Sequence, residues 1–323
     1  MAGMQHATMK SIPFSVRFKA WWEGYPVEAV HAPKNRQRPP VNVEAKKAPA
    51  QPIDPNEPWG PATIEAAQSI WGQGFCGPCS KDYLEGLNQQ LELQPNMAIL
   101  QLGAGLGGAA QALADRYNVK VRGLEASKAL VETSNAAGGP SQGQSNTRIT
   151  AYNPEQLPGF KNKFDGAFSE EALFTVECKR ELLSKVEEQL KPGGRLSFTE
   201  YMLGSDAAMG KENYQNWLDN ERRRPHPIML EELKDMLNDL QMQVHVSTDI
   251  SPQFITMVKK AWVDAGKLAT KLAEKPDGVD KIRALAKEAK LWESRRKIIE
   301  SGDLRLWRVV ARKKPGIRML SDW

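Results

Sequence analysis

Between Trp59 and Arg312, two rhythms of apolar residues alternate along the chain. Short uninterrupted apolar runs suit strands covered on both faces, and apolar residues recurring every three or four positions suit helices packed by one side. Helices are predicted over "PATIEAAQSI" and "SKDYLEGLNQQLEL", the second with Ser80 as its N-cap. A strand in "MAILQLG" follows, then a helix in "GAAQALADRYN", a strand in "VKVRGLEA" and a helix in "SKALVETSNAAGG" closed by glycines. Further strands are expected in "TRITAYN", in "FDGAFSE" and, after a helix ending in "VEEQLKPGG", in "RLSFTEYML". Elements alternating at these lengths imply an α/β fold around a doubly wound, mostly parallel sheet. Near the end the alternation stops. "MQVHVSTDI" and "LRLWRVVARK" read as late strands able to pair as an antiparallel edge, separated by a helical stretch over about 252–300. The spacing in "FITMVKKAWVDAGKLATKLA" predicts an amphipathic helix there, packed on the sheet as a lid.

The first 58 residues follow neither rhythm. "HAPKNRQRPPVNVEAKKAPAQPIDPNEP" is rich in Pro, Lys and Arg and reads as an extended basic arm. Before it, Phe14, Phe18, Trp21 and Trp22 sit beside Arg17 and Lys19, a patch suited to a membrane interface, a partner protein or the chain's own core. The expected division is therefore an arm over 1–58, a main domain over 59–314 and a tail over 315–323.

Composition narrows the class. The chain is 41% hydrophobic and 26% charged, with a mean hydropathy of −0.52, and no apolar run is long enough to span a bilayer. A net charge of +5 is spread among interleaved acids and bases, so nucleic acid is not an expected partner. Three cysteines form no secreted disulfide framework, which points to a cytoplasmic protein, peripheral at a membrane if the arm docks there.

"LQLGAGLGG" places Gly103, Gly105, Gly107 and Gly108 between a predicted strand and a predicted helix. Glycines there let the backbone turn sharply and approach a ligand. Glu125 ends the next strand about twenty residues on, where a carboxylate grips two ribose hydroxyls. Together these predict an adenosine-containing ligand. The "LKPGGRL" segment and the two late strands match the layout of class I methyltransferases rather than of nicotinamide enzymes.

The chain from "WGQGFCGPCSKDYLEGL" through "LRLWRVVARKK" resembles the phosphoethanolamine N-methyltransferases and related small-molecule methyltransferases. The resemblance implies a seven-stranded Rossmann-like sheet with an antiparallel last strand, and S-adenosylmethionine as cofactor. By that resemblance, Gly74 lies in a loop that closes over the methionine end, Gly103, Gly105 and Gly107 cradle the cofactor, and Glu125 holds its ribose. Asn153, beside Tyr152, takes the place near the adenine, and Ser169 lies beneath the sulfonium. Gln101 replaces an Asp and removes a negative charge near the methionine ammonium. On the acceptor side, the family's catalytic His is matched by Thr175, and Asp219 and Pro225 stand where pocket tyrosines are expected. Tyr201, Arg223 and Arg296 match polar pocket positions, the two guanidiniums suiting an anionic acceptor. Glu171 is the first candidate for orienting or deprotonating the acceptor, and His226 the second. Trp217, Trp262, Trp292 and Trp307 are expected in the core, with one or two flooring the pocket.

Cys76-Gly77-Pro78-Cys79 spells a thioredoxin-like redox motif, yet no apolar strand precedes it, so it reads as part of the cofactor loop. Cys178 and the four histidines show no metal-ligand spacing. The expected function is S-adenosylmethionine-dependent methyl transfer to a small anionic metabolite. The alternatives are a degenerate fold serving as a binding or scaffold subunit and a methyltransferase for lipid head groups.

Overall fold

The apolar runs become strands β1 (Ala98–Leu102), β2 (Lys120–Glu125), β3 (Thr147–Ala151), β4 (Phe164–Glu170) and β5 (Leu190–Leu203) of a computed structural model, all mutually parallel. It describes residues 57–79, 81–136 and 146–315. The arm before residue 57, Ser80, the glycines after Ala136 and the tail after 315 lie outside those residues. Ile99, Leu100, Ala167 and Phe168 are wholly buried, as strands covered on both faces require. Of the two late strands, β7 (Leu304–Lys313) inserts antiparallel between β5 and β6 (Met242–Asp249), giving the order β3-β2-β1-β4-β5-β7-β6.

Helices α1 (Pro61–Trp71), α2 (Lys81–Leu91), α3 (Gly108–Tyr117), α4 (Lys128–Ala136), α5 (Lys179–Gln189), α6 (Glu212–Asn220) and α7 (Leu230–Asp239) surround the sheet. Two expectations are corrected. β5 starts at Leu190, before the expected Arg195, because Pro192 cannot continue the preceding helix and the chain becomes extended at once. The lid stretch is three helices rather than one: α8 (Ser251–Trp262), α9 (Ala265–Ala273) and α10 (Gly278–Glu300), with Pro276 in the break before α10.

α8 to α10 pack against α1 around a cluster containing Trp217, Trp262, Trp292 and Phe254, and the Trp71 and Trp292 rings lie 4.6 Å apart. Trp307 is only partly buried. No helix among the described residues is long and apolar enough to cross a membrane.

β1 is flanked by β2 on one side and β4 on the other. Successive connections leave that point in opposite directions, which opens a crevice at the carboxyl ends of the two central strands. α10 and the segments just before α1 and just after α6 face that end.

Candidate functional site

A cavity of about 220 Å³ fills the crevice. One wall is the turn after β1, where Gly103, Gly105 and Gly107 have φ of 69°, 56° and 85°, the left-handed region that glycine enters freely. The Gly105 N–H donates to Glu125 Oε2 at 2.7 Å, and the Ser127 N–H donates to Oε1 at 2.8 Å. Each carboxylate oxygen therefore keeps acceptor capacity for a ligand. Burial raises the Glu125 pKa, and these backbone N–H groups partly offset it. The loop carrying Gly74 is bound to the turn by the Gly108 N–H, which donates to the Gly74 carbonyl at 3.0 Å.

The adjoining wall is the exit of β4, the strand next to β1. Glu170 and Glu171 follow one another there, and Glu171 has φ 46°, left-handed for a residue with a side chain. The Thr199 hydroxyl donates to Glu171 Oε1 at 2.8 Å. Burial pushes Glu171 up to about 7, against the Thr199 hydrogen bond and the nearby Arg295 charge, which favour the ionised form. Burial, then the adjacent Glu171 charge, pushes Glu170 up to about 8.

Arg295 of α10 faces the same space. Its Nε and Nη2 donate to Glu221 at 2.6 and 2.7 Å, and its guanidinium lies 4.8 Å from the Trp292 ring centre and 5.7 Å from that of Phe174. Arg222 pairs with Glu288 and lies 4.0 Å from the Trp59 ring centre. Glu57, beside Trp59, accepts the Ser127 hydroxyl at 2.7 Å and the Ala129 N–H at 3.2 Å, so the start of the described chain straps the α4 end of the crevice.

Of the residues expected from the sequence, Gly74, Gln101, Gly103, Gly105, Glu125, Glu171 and Arg223 line this cavity. Gly107, Ser169, Asn153, Tyr201, His226 and Arg296 do not line it. Gly107 turns its open side toward Ile149 and Ser134. Ser169 is wholly buried in β4. Asn153 is exposed, its side-chain oxygen accepting the Glu155 N–H, while Tyr152 and Pro154 on either side line the cavity. Tyr201 is wholly buried behind Phe174, 5.1 Å away ring to ring. His226 is held by its main chain: its N–H donates to the Phe174 carbonyl, and its own carbonyl accepts from the Lys179 ammonium. Arg296 pairs with Glu300 at 2.6 Å, outside the cavity. Neighbouring residues on a helix point about 100° apart, so Arg295 and not Arg296 faces inward. Thr175 lines the wall with its hydroxyl bound to the Ala172 carbonyl at 3.0 Å.

Arg295, Glu170 and Glu221 are absent from the sequence expectations. Arg295 had a signal: with Trp292 and Ile299 it occupies the buried three- and four-residue spacing of α10. Both cysteines of the Cys-Gly-Pro-Cys string also line the cavity. Burial pushes the Cys76 thiol up to about 12 and raises Cys79 further, so neither supplies the thiolate that disulfide exchange needs.

A family model described as a methyltransferase domain matches residues 100–198. The chain is 25% identical over 195 residues to a phosphoethanolamine N-methyltransferase of Plasmodium falciparum, covering 58% of this chain and 69% of that protein. It is 28% identical over 167 residues to an O-methyltransferase of Pyrenophora dematioidea, covering 52% and 61%. Among solved structures, it superposes on phosphoethanolamine N-methyltransferase 2 of Haemonchus contortus, solved with S-adenosyl-L-methionine, with a TM-score of 0.67 at 20% identity, covering 78% of this chain and 56% of that one. A cyclopropane synthase of Mycobacterium tuberculosis superposes with a TM-score of 0.65 at 14% identity, covering 80% and 96%. The shared fold is that of the class I methyltransferases.

Proposed function

We propose that this chain, a class I methyltransferase by its domain and fold, transfers a methyl group from S-adenosylmethionine to a small acceptor bearing an N–H or O–H proton. The observation that carries the reading is that Glu171 lines the same cavity as the glycine turn and Glu125.

The residues present fit the cofactor. The turn after β1 is a cradle without side chains, and a Cβ on Gly103 would collide with that of Ala172. Gln101 Oε1 is buried with no hydrogen-bond partner, an acceptor placed for a donor supplied by a ligand. Glu125 would accept the ribose hydroxyls with its remaining lone pairs. When bound, S-adenosylmethionine supplies a methyl group already activated by its sulfonium.

What remains for the protein is alignment, exclusion of water and management of one proton. Trp292 and Phe174 provide apolar wall on the acceptor side. Glu171 takes the acceptor's proton at Oε1 or Oε2. With a pKa near 7 it is part ionised at neutral pH yet basic enough to draw that proton. Arg222 and Arg295 are already matched by Glu288 and Glu221, so an anionic group on the acceptor would meet Arg223, whose charge also acts on Glu125.

The test is methyl incorporation from labelled cofactor into a metabolite extract. The unaltered chain is expected to label an acceptor, and Glu125→Ala to bind S-adenosylmethionine poorly and label none. Glu171→Gln should keep cofactor affinity and lose about 10²- to 10⁴-fold in turnover. Absence of any heat of cofactor binding at millimolar ligand would overturn the function.

A further inference from the structure

We propose that Glu170, together with Gln101, is the receptor for the ammonium of the cofactor's amino-acid tail, so that β4 supplies the negative charge that β1 lacks. The assignment rests on the proposed use of S-adenosylmethionine.

β1 and β4 are adjacent and parallel, with Gln101 opposite Phe168 and Leu102 opposite Ser169. That register brings Glu170 level with Gly103, one step past the end of β1. Gln101 Nε2 donates to Glu170 Oε2 at 3.4 Å, and both residues line the cavity beside the glycine turn. The other amide atom, Oε1, is buried and unsatisfied.

No Lys, Arg or His among the described residues forms an ion pair with Glu170. The titratable groups facing it are Glu171 on the same strand end, Tyr83 of α2 and Cys79 of the loop before α2. Arg295, a cation of the wall, acts on Glu171 and is held by Glu221. The corner thus holds a carboxyl and an orphaned carbonyl oxygen, with no positive group for either.

A ligand group with several N–H donors and a positive charge satisfies both. Of the cofactor's parts only the ammonium has these properties: the ribose hydroxyls are neutral and meet Glu125, and a sulfonium carries no donor. Glu170 then ionises on binding, because the ammonium provides the charge whose absence keeps its proton on. The proton leaves to solvent.

Binding calorimetry with two unreactive ligands tests this. S-adenosylhomocysteine keeps the ammonium, and 5′-methylthioadenosine lacks the tail. Glu170→Gln is expected to weaken S-adenosylhomocysteine about ten- to hundredfold and to leave 5′-methylthioadenosine within about twofold. With the unaltered chain at pH 7, S-adenosylhomocysteine should release more protons than 5′-methylthioadenosine, by up to about one, read from heats in buffers of different ionisation enthalpy. That proton belongs to the Glu170–Glu171 pair. Gln101→Leu keeps the carboxyl and removes Oε1, and should weaken only S-adenosylhomocysteine. The proton count needs no substitution, so it decides even if Glu170→Gln misfolds. Equal proton release by the two ligands, or unchanged S-adenosylhomocysteine affinity in Glu170→Gln, overturns this assignment alone. No binding of either ligand to the unaltered chain overturns it along with the proposed function.

Discussion

Glu171 leaves β4 in a left-handed conformation that costs a side-chain-bearing residue about 1–2 kcal/mol. The surrounding structure holds it there, its N–H donating to the Thr199 carbonyl at 2.9 Å while the Thr199 hydroxyl reaches Oε1. The proton-accepting form is the carboxylate, so kcat/KM is expected to fall about tenfold per pH unit below the Glu171 pKa. The Thr199 hydrogen bond favours the ionised carboxylate. Removing it in Thr199→Val raises the pKa and should move the acid limb of the profile upward, by as much as about one unit. A limb that stays in place would show that another group accepts the proton. The glycines separate in the same way. Gly103→Ala meets both a positive φ and the Ala172 side chain, whereas Gly105→Ala meets the positive φ and only ordinary contact with Cys76 Sγ at 3.7 Å. Gly103→Ala is expected to cost the more in cofactor affinity, by about tenfold or greater, measured by the same titration. That Glu125 and Gln101 line the cavity was legible because both lie near a strand end beside the glycine motif, whereas Glu171 came from the family resemblance. Arg295 was not legible in the same way, because which of two neighbouring arginines lines the cavity depends on the phase of α10.

Between elements, the Arg295–Glu221 pair ties α10 to the residue that follows α6, with the two side chains 9% and 1% exposed. Burial opposes the Arg295 charge, and Glu221 more than restores it, so the guanidinium stays protonated. Glu221→Gln removes the countercharge and leaves that cation buried, which should lower the unfolding free energy by about 3–5 kcal/mol. A Glu221→Leu/Arg295→Met double variant removes both charges and should recover most of the loss. Lys267→Ala breaks the exposed Lys267–Asp264 pair, which solvent screens, and should leave the urea midpoint almost unchanged. Urea midpoints for the three variants check the order, and equal midpoints would mean that the buried pair is no more than a surface contact. The bounds of β4 were legible, since "FDGAFSE" is the whole strand and its buried Phe164, Ala167 and Phe168 are set among polar residues and a glycine. The cap was less so. Its apolar spacing passes from α8 into α9 without a gap, and only Pro276 marks a break. Which faces of these helices meet depends on contacts between residues far apart in the chain, a property that local periodicity does not encode.

Over the whole molecule, the crevice chemistry sets how stability responds to pH. Glu170, Glu171 and Glu200 are all raised by burial, to about 8, 7 and 8, from an ordinary 4.5. Above 4.5 the unfolded chain releases these protons and the folded chain keeps them. Folding then takes up protons, and stability must fall as pH rises. The contribution is complete below about 4.5 and is lost progressively up to about 8, each group costing at most about 1.4 kcal/mol per pH unit within its window. Carboxylates paired with lysines act oppositely. Asp303, lowered by its bond to Lys211, and Glu65, lowered by Lys275 and Lys281, add stability above their unfolded pKa values and lose it as pH falls. The two sets place the maximum near pH 5, on the acid side of neutrality although the chain is basic overall. Tm is therefore expected to decline from pH 5 to pH 8, and Glu170→Gln/Glu200→Gln, which cannot ionise at either position, should flatten that decline. The cofactor acts against the same slope, because an ammonium at Glu170 favours the ionised form that pH alone makes costly. In saturating S-adenosylhomocysteine the fall in Tm between pH 6 and 8 should be shallower than in the free chain. Parallel curves with and without ligand would mean that binding leaves the buried carboxyls as they were.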